Sequence, residues 1–183
     1  MKCNFFLFSV LLFLSCADNY TPKPRGFFKV DLPKKEYVDI DVSCNFIFER
    51  PIYSLMKKKK QDCFFDLEFP AQNGVLHITY LPLLNNLSEH IEGSRNLAYK
   101  HNMRAEAISE SLYMNDKYRV YGLLYDYDGL TATSTQFYLT DSTNHFFRGA
   151  LYFNTEVTDS LLPINTFLKE DVKHLIESFR WVD

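Results

Sequence analysis

Glycine is scarce in this chain of 183 residues. Six glycines occur, and none builds a phosphate loop, a dinucleotide fingerprint or the elbow that presents a nucleophilic serine. Histidine is no richer. His77, His90, His101, His145 and His174 never stand two or four residues apart, and no HExxH is present, so the usual metal-ligand spacings are missing. Charge of one sign is lacking too. Twenty basic residues face 23 acidic ones for a net charge of −3, which excludes a nucleic-acid binder driven by bulk charge. Four cysteines are too few for a disulfide scaffold. What is abundant is aromatic: 17 Phe and 12 Tyr within a chain that is 46% hydrophobic, a mix that suits pleated sheets. The length is that of one ordinary domain, with or without a tail.

The N-terminus reads as an address. Met1-Lys2 is a short positive end, and Phe5 to Leu14 is an apolar run of about ten residues, half of the roughly twenty a spanning helix needs. No later stretch is long and apolar enough to span. The run closes on Phe13-Leu14-Ser15-Cys16, which resembles the lipobox of bacterial lipoproteins, with Phe13 where Leu is commonest. Residues 1–15 are thus expected to be a signal peptide, and Cys16 the lipidated first residue of the mature chain. A signal peptide with a chance cysteine is the plainer alternative. Pro22, Pro24 and Pro33 stiffen residues 16–35 into a tether, leaving 36–183 as a single domain.

Cys3 leaves with the signal and Cys16 takes the lipid, so Cys44 and Cys63 remain. In an oxidising compartment two leftover thiols usually pair; free thiols or a half-supplied metal site are the other readings. Lys57-Lys58-Lys59-Lys60 falls between them. It reads as a solvated, self-repelling loop, or as a contact for anionic headgroups or an acidic patch.

Period-two patterns predict strands at 45–49, halted by Pro51, and at Phe65–Phe69, ended by Pro70. Further strands are predicted over Val75–Tyr80 after a turn at Asn73-Gly74, and over 118–127, 131–140 and 146–153. Asp128-Gly129 and Asp141-Ser142-Thr143-Asn144 join the last three. Asp126-Tyr127-Asp128-Gly129 lacks the third ligand position and closing Glu of a calcium loop, so a hairpin turn is the expectation. Leu87, Ile91, Ser94 and Ala98 follow helical spacing, with Asn86 and Glu89 as a reciprocal cap. Ile164, Phe167, Leu168, Leu175, Ile176 and Phe179 mark a second, C-terminal helix. The expected fold is α+β: a mostly antiparallel sheet covered by two main helices.

Longer motifs carry a family resemblance. Tyr20-Thr21-Pro22-Lys23-Pro24-Arg25-Gly26-Phe27-Phe28 with Asp31-Leu32-Pro33 resembles the segment after the lipid cysteine in the gliding-motility lipoprotein GldD of Bacteroidetes. The likeness continues through Ser94 to His101, Val120 to Asp126, Gln136 to Thr143, and His145 to Phe153. The resemblance implies an envelope component, anchored to the inner or outer membrane and facing the periplasm, needed for gliding and for type IX protein secretion. It implies protein partners in that machinery, a GldE-like membrane protein among them. It supplies no catalytic residue, cofactor, nucleic-acid partner or small-molecule substrate. An envelope hydrolase with an unrecognised site is the rival reading.

A shorter likeness, Phe46 to Pro51 with Ile176 to Phe179, is to the opening and closing segments of Mog1/PsbP-like α/β/α layered domains and concerns fold alone. Arg25, Phe27 and Phe28 are candidate partner contacts, because a mere spacer needs no aromatic anchors; docking onto the domain's own core is the alternative. Ser142 and Ser160 stand in Asp-Ser-Thr and Asp-Ser-Leu, which resemble the O-glycan acceptor of Bacteroidetes and also make good turns or caps.

Overall fold

The computed structural model describes residues 30–100, 105–129, 131, 133–155 and 160–182. Alternating phenylalanines build the sheet. In β5 (Phe65–Phe69) the side chains of Phe65, Leu67 and Phe69 are buried, while Asp66 and Glu68 point to the other face. The 3-10 turn Pro70–Gln72 follows, and Asn73 takes a left-handed conformation (φ 53°) that reverses the chain into β6 (Gly74–Pro82). Residues N-terminal to β5 form β1 (Tyr37–Asp39), β2 (Phe46–Ile47), β3 (Glu49–Pro51) and β4 (Leu55–Lys58). Beyond β6 come α1 (Leu87–Tyr99), β7 (Ala107–Asn115), β8 (Val120–Asp128), β9 (Thr133–Thr140), β10 (His145–Phe153), α2 (Leu162–Ser178) and β11 (Arg180–Trp181).

Seven strands pair antiparallel in the order β4-β5-β6-β10-β9-β8-β7. Two small sheets, β1–β3 and β2–β11, flank them. Adjacent residues of one strand point to different cores. Leu124 packs with Phe137, Phe147, Leu168 and Leu175, whereas Tyr125 packs with Tyr138, Phe146 and Ala98. Hence α2 covers one face and α1 the other. The fold is the expected α+β class, with a mostly antiparallel sheet and two helices.

The larger core is a ring cluster. Phe46 meets Phe147 edge-on at 5.0 Å, and Phe179 lies 4.8 Å from Phe147 and 5.8 Å from Phe46. Each such fully buried ring contributes roughly 1.5–3 kcal/mol by leaving water. Pairing of β11 with β2 brings Phe179 into this cluster, so the C-terminus closes the core that Phe46 opens. Central β9 is buried along its whole length despite five Ser, Thr and Gln side chains. Its hydroxyls donate to strand carbonyls, as Thr135 does to Tyr125 at 3.1 Å and Thr140 to His145 at 2.7 Å.

Three local expectations change. The single strand predicted at 45–49 is two, β2 and β3, with Pro51 as the last residue of β3, opposite Tyr37. Asn86 precedes α1 without capping it, because its Oδ1 accepts instead from the Leu84 N–H at 2.9 Å. Four strands, not three, lie between α1 and α2. The additional one, β7, has almost no buried face and therefore no period-two pattern to find.

Candidate interaction surface

Lys35, at the C-terminal end of the proposed tether, is held by α2. Its ammonium donates to Asp171 Oδ1 at 2.8 Å and to the Phe167 carbonyl at 2.8 Å, and it lies 4.1 Å from the centre of the Phe167 ring. Tyr37 and Tyr53 donate to the same carboxylate at 2.9 and 2.6 Å. The Asp171 side chain is 1% exposed. Burial first, and then the bond to Asp171, pushes both phenols well above their ordinary range, so they remain donors. Tyr37 stacks on His174, which bonds Glu49 at 2.6 Å. The set of Lys, Tyr, His and carboxylate resembles acid–base machinery. Both Asp171 oxygens are already occupied by these donors, which makes the set a clasp between the β1–β3 hairpin and α2.

At one edge of the large sheet, the lysine run is not the expected loop. Lys57 and Lys58 end β4, with Lys57 on Glu68 at 2.7 Å and Lys59 on Asp66 at 2.7 Å. Burial raises the Asp66 carboxyl, but its bonds to Lys59 and His77 outweigh that and hold it below the usual range. Lys58 and Lys60 have no ion pair among the described residues. Cys44 and Cys63 are joined in a disulfide, with Cα atoms 5.9 Å apart.

Other predicted positions stay apart. Ser142 is exposed in a turn at φ 72°, and Ser160 is exposed just before α2. Beside Ser142, the buried Asp141 carboxylate accepts from the N–H groups of Thr143, Asn144 and His145. Asp126 pairs with Lys169 at 3.4 Å, and Gly129 (φ 96°) follows it in the Asp128-Gly129 turn. Among the described residues no three His, Cys, Asp or Glu side chains converge on one point. Cys16, Arg25, Phe27 and Phe28 lie outside the described residues.

The surface that sequence reasoning missed is the opposite edge. Among the described residues β7 has a single neighbour, β8, so one side of its nine-residue backbone is unpaired there. Leu112 is 80% exposed and Met114 73%. Both stand on the α1 face, opposite Leu123 and Tyr121 of β8. Tyr99, the last residue of α1, donates to Glu110 at 2.8 Å, so the helix ends before it reaches Leu112. On the other face a cavity of about 160 Å³ lies between Tyr113, Leu124, Ile176 and Lys173. The two edges differ in kind. β4 is four residues with two lysines, a protected edge; β7 has Glu110 as its only charge and no proline. No short motif announces this, although the apolar triplet Leu112-Tyr113-Met114 was there to be questioned.

A family model described as gliding motility lipoprotein GldD matches residues 17–181. The chain belongs to the GldD family. Membership gives it a role in gliding motility and the lipid anchor of a cell-envelope lipoprotein. No helix among the described residues is long and apolar enough to cross a membrane. No curated protein matches the chain.

Proposed function

We propose that this GldD-family chain is an accessory factor of the gliding apparatus that acts by protein–protein contact and also serves type IX secretion. Residues 1–15 are its signal, Cys16 its lipid acceptor, 16–35 its tether and 36–183 its periplasm-facing domain. A GldE-like membrane protein is a partner, engaged near the membrane through Arg25, Phe27 and Phe28. The observation that carries a contact function is the open β7 edge with Leu112 and Met114 on it. A long apolar strand edge left bare invites pairing, and monomeric proteins normally blunt it. The edge stands six strand spacings from the lysine-bearing β4 edge, roughly 29 Å at ~4.8 Å each.

Photo-crosslinking in gliding cells tests this. A photoreactive residue at Met114 should capture protein identified by mass spectrometry as belonging to the gliding or secretion machinery, this chain included. The same residue at Leu84, exposed elsewhere, should not. Normal gliding and secretion by Leu112→Lys with Met114→Lys, together with no capture at Met114, would overturn the reading.

A further inference from the structure

We infer that β7 pairs antiparallel with β7 of a second copy of this chain, with Leu112 opposite the partner's Leu112. The inference rests on the proposed contact function and names its occupant. Strand pairing would satisfy the unpaired backbone groups of a nine-residue edge and cover two side chains that are 80% and 73% exposed.

Charge selects the register. Directly opposed residues lie on the same face, so the two-fold axis must pass through a residue and its own copy. Centred on Ser111, the two Glu110 carboxylates become diagonal neighbours, roughly 7–8 Å apart. Centred on Tyr113, Glu110 stands opposite the partner's Asp116. Centred on Leu112, neither conflict arises. Met114 then covers the stem of the partner's Glu110, Tyr113 meets the partner's Ser111, and the two Glu110 residues are four positions apart, about 13 Å.

The lipid anchor favours the same arrangement. An antiparallel pair of strands has its two-fold axis normal to the sheet, so both copies keep the same face on the same side. The tether ends at Lys35, against Phe167 and Asp171 of α2, and α2 covers one face. Both tethers therefore leave from one side of a continuous fourteen-strand sheet, as two anchors in one membrane require. A second copy stacked through the α1 face would send them to opposite sides.

The test uses the mature lipidated protein. With Cys44 and Cys63 closed in a disulfide and Cys16 acylated, Leu112→Cys introduces the one reactive thiol. Mild oxidation in cells should give a disulfide-linked homodimer, while the same treatment of Leu84→Cys, 79% exposed, should not. In native mass spectrometry from detergent, the unsubstituted protein should be dimeric. Leu112→Lys with Met114→Lys should weaken the dimer at least about tenfold, while the thermal midpoint measured at a dilution where both proteins are monomeric stays the same. A monomer at tens of micromolar, or equal crosslinking at both positions, overturns the inference. So does capture of a different protein at Leu112, an outcome that leaves the contact function standing and reassigns the edge to that partner.

Discussion

Lys35 and Asp171 meet at 2.8 Å although 136 residues separate them. The pair joins Lys35, the end of the proposed tether, to the middle of the C-terminal helix. Tyr37 and Tyr53 close around the same carboxylate, so the described N-terminal segment and α2 form one cooperative unit.

Asp171→Ala should destabilise the domain by about 3 kcal/mol, because it leaves two part-buried phenols without their acceptor and removes one of the ammonium's partners. Thermal or urea unfolding gives the midpoint, and hydrogen exchange should show residues 30–40 losing protection first. An unchanged midpoint would show that the clasp adds no stability.

Opening the disulfide should cost about 3 kcal/mol, the chain-entropy value for a loop of roughly 18 residues. Urea unfolding of Cys44→Ala with Cys63→Ala against the oxidised protein measures it. Cys44 and Cys63 pack against the main core beside Phe65, so the loss should appear as one cooperative transition. Coincident curves would contradict this.

Asp141 should make stability acid-sensitive. Burial alone would raise its carboxyl, but the N–H groups of Asn144, Thr143 and His145 and the Thr143 hydroxyl hold it down, from 3.8 to about 2. A carboxyl with a lowered folded pKa stabilises the fold above the unfolded value and loses that contribution as pH falls from 3.8 toward 2. The contribution is about 1 kcal/mol after screening at the turn surface is allowed for. Asp141→Asn should lower the midpoint at pH 7 and flatten its fall between pH 4 and 2. A parallel fall in both proteins would refute the assignment.

Anchoring should depend on Cys16. Cys16→Ser is expected to leave the chain uncleaved or washed from membranes by carbonate, with gliding impaired. Mature protein that stays firmly in membranes without its partner and still supports motility would remove the lipid argument.

How much of this was legible depends on whether a residue's neighbours in sequence already reveal its environment. The alternation in Phe65–Phe69 and the helical repeat from Ile164 to Phe179 announced β5 and α2, because each has one buried face and the pattern records that burial directly. The lipobox-like run and the arithmetic of four cysteines are likewise local, and the longer motifs carried the family. β7 was invisible for the converse reason: at a sheet edge neither face is buried along its length, so nothing in Ala107–Asn115 alternates. β4 hid behind its lysines: Lys57 stands opposite Asp66 and pairs diagonally with Glu68, partners that no local pattern reveals. The sequence by itself determined the elements with a buried face and the family. Only the tertiary structure decided which helix covers which face, that Lys35 closes on Asp171, and that among the described residues one sheet edge is charged and short while the other is long and bare. Those are relations between residues far apart in the chain, set by packing, and no local pattern encodes them.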